Sequence, residues 1–269
     1  MIDSHCHLDL LASHKNLEKV LDSAKSAGLT RIMAPSIHPE SWRALHKISD
    51  QYHHMLPIDC ALGLHPYFLN SSDCLSSDKA LSHQLSELES AAQDCHPSVK
   101  AIGETGVDGH IDIPITLQQK VFHAHLTLAE RMSLPVIVHH RKSHHLLLES
   151  FKQSHYQGSG VIHAFSGSVE VAKGYLERGF YLGIGGTITY ERAKKTRNTL
   201  AYLLEHHVDR LLLETDAPDM PMCGRQGEPN EPRYLTDVVD VISEIYSVKR
   251  SEVIATTTTN YLRLFGIED

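Results

Sequence analysis

Met1-Ile2-Asp3-Ser4-His5-Cys6-His7 opens the chain, and in it a short apolar lead runs directly into a His-x-His pair. Side chains two residues apart on an extended strand point to the same side. His5 and His7 therefore project together and can bind one cation. Because two histidines alone are a weak signal, this interpretation depends on whether other parts of the chain bring further ligands to the same point.

Short apolar runs of β-type alternate with helical patterns along the chain, which is typical of βαβ units. Such runs followed by helices favour one (β/α)8 barrel of the TIM type over residues 1–269. The alternative is a doubly wound open sheet, but that fold normally has a glycine-rich turn after its first strand, and this chain has none there. The eight predicted strands are Met1–Asp3, Arg31–Ala34, Ile58–Leu64, Val99–Gly103, Pro135–Val138, Gly160–Ile162, Phe180–Ile184 and Arg210–Leu213.

Helical patterns fill the intervals between these strands. The clearest apolar stripe, with spacings of three and four, lies in Thr116–Met132. The full set of predicted helices is Leu17–Ala27, Glu40–Gln51, Leu81–Gln93, Thr116–Met132, His145–Ser154, Val169–Arg178, Arg192–Glu205, Tyr234–Ser247 and Ser251–Leu264.

Composition limits the class of function. The chain has 25 basic and 33 acidic residues and a formal net charge of -8, which argues against broad, non-specific nucleic-acid binding. This balance still permits a small site in which metal ions supply the positive charge. The five cysteines are odd in number and form no C-x-x-C pair, so we expect a reducing, cytoplasmic environment. We also expect no signal peptide and no membrane span.

Residues of ligand type lie at the ends of five predicted strands. In a parallel barrel these ends meet on one face, where the active sites of the fold lie. Side chains that are far apart in the sequence can therefore converge there. The candidates are His5, His7, Glu104, His139, His163 and Asp216.

Four imidazoles and two carboxylates suit zinc, manganese or iron-type cations better than calcium, which prefers oxygen ligands. Six ligands are too many for one tetrahedral ion, so we expect two divalent ions (zinc, manganese or magnesium) about 3.5–4 Å apart. Glu104 is predicted to bridge the ions, because a carboxylate has two oxygens. Asp216 is predicted to ligate one ion and to act as general base toward the attacking water.

Arg141 and His65 are the predicted substrate contacts. Arg141 follows His139 by two residues and can present its planar fork to a phosphate, although an ion pair with Glu104 or Asp216 is an open alternative. His65 can donate to a phosphate oxygen or support a ligand from behind. The loop Pro218–Pro232 is expected to rim the entrance.

Several other side chains have a structural interpretation. His140 adjoins His139 and should point away from the site, while His123 and His125 lie on a predicted helix and are read as non-ligands. Asp3 has two open readings: it orients a ligand imidazole, or it is an ordinary carboxylate at a strand end. Arg225, in the loop after the last strand, is favoured as a solvated arginine over a phosphate contact.

The motifs around these residues resemble the TatD family of metal-dependent hydrolases over essentially the whole chain. They are Asp3-Ser4-His5-Cys6-His7, Gly63-Leu64-His65-Pro66, Gly103–Asp108, Pro135–Arg141, Val161–Gly167 and Leu213–Pro218. Gly185–Tyr190 and Pro218–Pro221, with Gln226–Pro232, resemble the YjjV branch of that family. Gly106-Val107-Asp108-Gly109 departs from the Gly-Leu-Asp-Tyr of many relatives, which bears on the substrate and not on the metal site.

This resemblance implies a TIM barrel, a divalent-metal site and phosphodiester hydrolysis of the deoxyribonuclease type. The ligands that it implies are the six residues named above. We therefore expect DNA or a small phosphodiester as substrate, with no membrane and no obligate protein partner. Two alternatives are kept: a hydrolase of a small ester, lactone or amide, related to the amidohydrolases, and a metal-binding barrel without catalytic activity.

Overall fold

Eight parallel strands in sequential order form the centre of the protein, in a computed structural model that describes residues 1–69, 78–94 and 96–268. The sheet closes where the amide of Ser4 donates to the carbonyl of Leu213 (2.9 Å) and a parallel bridge joins Cys6 to Ala217. The predicted (β/α)8 TIM barrel is thereby confirmed. Its strands are β1 (Ile2–Asp3), β2 (Arg31–Pro35), β3 (Ile58–Leu62), β4 (Val99–Asp108), β5 (Val136–Arg141), β6 (Gly160–Ile162), β7 (Tyr181–Ile184) and β8 (Leu211–Leu213).

Ten α-helices in the described residues surround the barrel, and nine of them correspond to predicted helices whose ends differ by at most three residues. The unpredicted helix, α1, begins directly after His7 and buries Leu8 and Leu11. The helices are α1 (Leu8–His14), α2 (Leu17–Ser26), α3 (Pro39–Tyr52), α4 (Asp78–Gln93), α5 (Ile115–Met132), α6 (His144–Gln153), α7 (Val169–Leu176), α8 (Lys194–His206), α9 (Leu235–Tyr246) and α10 (Arg250–Phe265). No helix in the described ranges combines the length and apolar character that a membrane span requires.

One apolar layer fills the barrel interior, and α10 closes the amino-terminal end beneath it. The hydroxyl of Tyr261 donates to Asp59 (2.7 Å), and Arg31 pairs with the other oxygen of that buried carboxylate (2.8 Å). His139 follows the layer residue Ile137 by two positions and therefore points the same way. The layer takes one residue from each strand: Ile2, Met33, Ala61, Ala101, Ile137, Val161, Tyr181 and Leu212.

Strand β4 is longer than the predicted Val99–Gly103, and Glu104 lies inside it rather than after it. The pairing with β5 shifts register between Ile102 and Thr105, which allows the strand to continue to Asp108. Gly106 makes this close approach possible, because a Cβ atom at this position would lie 2.1 Å from the carbonyl oxygen of His139. The polar end of β4 is therefore held firmly against β5, where the candidate site lies.

Candidate active site

Glu104 is a fully buried carboxylate at the carboxyl end of the barrel, and imidazoles surround it. Each of its two oxygens faces a different group of histidines. Oε1 lies 2.8 Å from Nε2 of His163, 3.0 Å from Nδ1 of His139 and 3.3 Å from Nε2 of His65, while Oε2 lies 3.1 Å from Nε2 of His5 and 3.4 Å from Nε2 of His7.

Asp216 completes the cluster on the side of the first strand. Its Oδ1 lies 3.6 Å from Nε2 of His5 and from Nε2 of His7. The structure therefore brings all six predicted ligands to one end of the barrel, with one Glu104 oxygen directed toward each group of histidines. His65, predicted as a substrate contact, also reaches Glu104.

Asp3 joins the first and last strands at the seam where the barrel closes, and it does not orient an imidazole. Its Oδ1 accepts the backbone amides of His5 (3.2 Å) and Thr215 (3.0 Å), and its Oδ2 accepts the Thr215 hydroxyl (2.6 Å). Burial raises the pKa of Asp3 to about 8. Of the two readings from the sequence, orientation of a ligand ring is therefore wrong: Asp3 fixes the backbone that carries His5 and Asp216.

Two carboxylates that were not predicted as site residues lie behind the histidines. Asp108 Oδ2 lies 3.2 Å from Nε2 of His139, so it fixes the ring whose Nδ1 faces Glu104. Glu214 lies 3.7 Å from Nδ1 of His163 and accepts the amide of Ala164. Carboxylates behind a ligand imidazole set its tautomer and orientation. Strand alternation gives no signal for Glu214, because β8 ends at Leu213 and Asp216 has a left-handed backbone conformation.

The histidines that were read as structural lie outside the cluster. Nε2 of buried His125 accepts the amide of Leu64 (3.0 Å), and its Nδ1 donates to the Val121 carbonyl (2.8 Å), so it supports the segment that carries His65. The ring of His140 packs 4.2 Å from that of His144, on the outer side of β5. Neither histidine belongs to a cluster of potential metal ligands in the described part of the chain.

Opposite charges stabilise each other in the cluster. Burial alone would raise the pKa of Glu104, but the nearby His163, His65 and His5 outweigh it, and the pKa lies well below its usual range. Burial disfavours a charged His7, yet Asp216 and Glu104 raise the pKa of His7 to about 9. Burial lowers the pKa of His65 to about 4. The negative charges of Glu104 and Asp216 therefore favour positive charge in this buried cluster.

The donor set fits a divalent cation. Glu104 Oε1 has three imidazole nitrogens nearby, yet none of these contacts has the geometry of a hydrogen bond, and buried Nδ1 of His5 also has no hydrogen-bond partner in the described residues. Unpaired buried polar atoms are costly, and a cation placed among them removes that cost. Imidazole and carboxylate ligands suit zinc or manganese. Three groups of donors have their atoms within 4.8 Å of one another: His5 with His7 and Asp216, His5 with His163 and Glu214, and His65 with Glu104 and His139.

A cavity of about 370 Å³ leads to this cluster. Arg141 is exposed and lines the cavity, and no ion pair joins it to Glu104 or Asp216 in the described residues. Tyr67 also lines the cavity, with 62% of its surface exposed. The cavity therefore offers an exposed guanidinium and an aromatic face beside the buried carboxylates.

The loop after β8 reaches the same entrance. Asp219 lines the cavity, and the side-chain amide of Asn230 donates to the carbonyls of Thr215 (2.8 Å) and Asp219 (2.9 Å), which fixes the loop. Arg225 pairs with Asp237 (2.7 Å) and lies over the ring of Tyr234. It is thus a surface arginine, in agreement with the favoured reading.

The sequence is similar to those of known proteins. A family model described as TatD related DNase matches residues 2–266. The chain belongs to the TatD family. The predicted family and, at that level, the predicted metal-dependent hydrolase are confirmed.

Individual TatD relatives match along their full length. The Escherichia coli protein named uncharacterized metal-dependent hydrolase YjjV is 36% identical over 267 residues, which cover 99% of this chain and 98% of the relative. The crystal structure of E. coli YjjV, described as a TatD homolog, matches with a TM-score of 0.89 over 100% of this chain and 98% of the YjjV chain. The Bacillus subtilis protein YabD, also named an uncharacterized metal-dependent hydrolase, is 33% identical, with 99% of each chain covered.

Proposed function

We propose that this TatD-family protein is a phosphodiesterase that uses two divalent cations to cleave phosphodiester bonds in DNA. The observation that carries the proposal is the set of imidazoles around Glu104, with Asp216 beside them. The family description, TatD related DNase, and the relatives named metal-dependent hydrolases support the reaction class.

Each oxygen of Glu104 has its own set of neighbours, which supports two cation positions. His5, His7 and Asp216 would hold one ion, and His139 and His163 would hold the other, with Glu104 shared. Bound ions of this type lower the pKa of a coordinated water and offset charge on phosphoryl oxygens.

The side chains of the protein supply the remaining steps. Neighbouring imidazoles keep the pKa of Asp216 below its usual range although burial opposes this, so the carboxylate is available to accept a proton from the attacking water. Arg141, exposed at the cavity wall, can bind the phosphoryl group with its planar fork. His65 in the same cavity can donate its Nε2 proton to a phosphoryl oxygen, since its Nδ1 accepts the amide of Tyr67. Tyr67 offers a face on which a base can stack.

Chelation followed by reconstitution tests the proposal. The chelated protein should have no activity, and zinc or manganese should restore cleavage of phosphodiesters with two ions bound per chain. Metal content is measured by elemental analysis, and turnover is measured on matched sets of phosphodiesters, lactones and amides. Faster turnover of a lactone or an amide than of every phosphodiester would replace the proposal with the amidohydrolase-type alternative. Full metal content without any turnover would support the non-catalytic barrel.

Arg141→Gln tests the phosphate contact specifically. Because a hydrogen bond to a charged group contributes about 1.5–3 kcal/mol, kcat/KM for phosphodiesters should fall about tenfold or more. Lys142→Gln is the matched control, since Lys142 is the next residue, is exposed and does not line the cavity. Equal effects of the two substitutions would contradict a role of Arg141 in substrate binding.

A further inference from the structure

A second cavity, of about 570 Å³, lies beside the candidate active site at the same end of the barrel. The segments that follow β6, β7 and β8 form it, and none of its residues was predicted as a site residue. We call it the basic cavity. Its walls include Ser166, Tyr190, Arg192, Lys195, Met220 and Pro221.

The charge of the basic cavity is opposite to that of its neighbour. Arg192 and Lys195 are both exposed on its wall, and the lysine and arginine ion pairs of the described residues involve neither of them. Within the described ranges no carboxylate lines this cavity, whereas four line the active-site cavity: Glu104, Asp108, Asp216 and Asp219. In a chain of net charge -8, two unpaired cations in one concave surface favour an anionic ligand.

The walls of the basic cavity are joined to each other. The hydroxyl of Tyr190 donates to the carbonyl of Pro221 (2.7 Å), which ties the segment after β7 to the segment after β8. The guanidinium of Arg192 lies 4.8 Å from the centre of the Tyr190 ring. Arg197 donates from Nε to the carbonyl of Ile188 (2.9 Å) and holds the same segment from behind. Arg192 is thus presented from a fixed platform, which suits a specific contact.

The two cavities are close enough for one polymer to occupy both. Ser166 of the basic cavity follows His163 of the candidate active site by three residues, and Met220 adjoins Asp219. Three residues span at most about 11 Å. A nucleic-acid strand with a rise of about 3.4 Å per nucleotide covers that distance in about three nucleotides.

We infer that the basic cavity binds a backbone phosphate of a nucleic-acid strand, a few nucleotides away from the bond that is cut at Glu104 and Asp216. The inference rests on the proposed function and adds to it a preference for oligonucleotides over single phosphodiesters. Arginine and lysine together provide the fork and the point charge that bind phosphate in proteins, and the Tyr190 ring is fixed beside them.

The double variant Arg192→Gln/Lys195→Gln tests this inference in the metal-loaded protein. Binding is measured by fluorescence anisotropy with a labelled single strand whose phosphorothioate linkages slow cleavage. The variant should bind this strand about tenfold or more weakly, and the slope of log K against log salt should fall by about 0.7 for each phosphate that the variant no longer neutralises. Its kcat/KM for bis(p-nitrophenyl) phosphate, which has no flanking nucleotides, should stay unchanged.

Lys194→Gln is the matched control, because Lys194 is an exposed neighbour that does not line the basic cavity. Equal affinities of the control and the double variant, or an equal loss of activity on the small diester, would overturn the inference. Melting temperatures of both variants verify that the fold is intact. Failure of the unaltered protein to cleave any phosphodiester would contradict the proposed function itself, whereas normal cleavage with equal binding by both variants would contradict the basic cavity alone.

Discussion

Asp216→Asn removes one negative charge from the candidate site while it keeps the size of the side chain. In the metal-loaded protein this change should lower kcat by about 10²–10⁴-fold, the usual contribution of a general base. The physical reason is that Asp216, whose Oδ1 lies 3.6 Å from Nε2 of both His5 and His7, is the carboxylate that we propose as the proton acceptor for the attacking water.

In the metal-free protein, the same substitution should also change the free energy of unfolding, and the size of this change follows from the pKa of His7. Burial lowers the pKa of His7, but Asp216 and then Glu104 raise it from 6.5 to about 9. At about 1.4 kcal/mol per pH unit this interval corresponds to a net stabilisation of about 3 kcal/mol, which is the order of magnitude expected for the loss of Asp216, the strongest of the neighbours that raise this pKa. A raised pKa adds stability that is fully present below pH 6.5 and is lost as the pH rises through 9, so the loss of stability in the variant should be largest near pH 6 and should become smaller above pH 9.

Urea unfolding of the metal-free proteins at pH 6 and pH 9.5 measures the stability difference, and turnover at saturating metal measures kcat. Asp219→Asn is the comparison variant, because Asp219 lines the same cavity without an ion pair to any imidazole of the described residues. An unchanged kcat for the Asp216→Asn variant with full metal content would refute the general-base role. Equal free energies of unfolding at pH 6 would refute the charge pairing.

Three further predictions concern the surroundings of the site. Glu214→Gln should weaken metal affinity by about 10–100-fold, measured by competition with a chelator, because His163 loses the carboxylate behind it; unchanged affinity would contradict that role. Metal uptake should release protons and tighten from pH 6 to pH 9, since His7 has a pKa of about 9, and calorimetry in two buffers counts those protons. Tyr261→Phe should lower the free energy of unfolding by about 1–3 kcal/mol without a change in kcat, because buried Asp59 loses a donor far from the site; an altered kcat would show that the two ends of the barrel are coupled.

The positions of the ligand histidines could be predicted because alternation along a strand is a local property. His139 follows Ile137 by two residues, and His163 follows Val161 by two, so each points to the side of the apolar layer that the sequence already marks. The parallel order of the strands then places these side chains at one end of the barrel. Neither step needs knowledge of tertiary contacts.

Other features depend on contacts between distant segments and were missed for that reason. The extension of β4 to Asp108 requires the register shift against β5, which no local pattern reveals. Asp3 and Glu214 are carboxylates at strand ends, and only the structure shows that one accepts backbone amides across the seam while the other faces His163. Helix α1 was not predicted because it has only seven residues. Its two buried leucines, Leu8 and Leu11, are too few to show a helical period.

The acidic net charge and a nucleic-acid substrate are compatible because charge acts locally over about a Debye length, near 8–10 Å in ordinary salt. The carboxylates of the active-site cavity would repel a phosphate until cations bind around Glu104, whereas Arg192 and Lys195 would attract a phosphate in the absence of metal. A strand would therefore be held first at the basic cavity and would enter the cluster only when metal is bound. The acidic surface would then disfavour long, non-specific contacts with nucleic acid. A phosphate would be stable in only two small regions, the basic cavity and the metal-loaded active-site cavity.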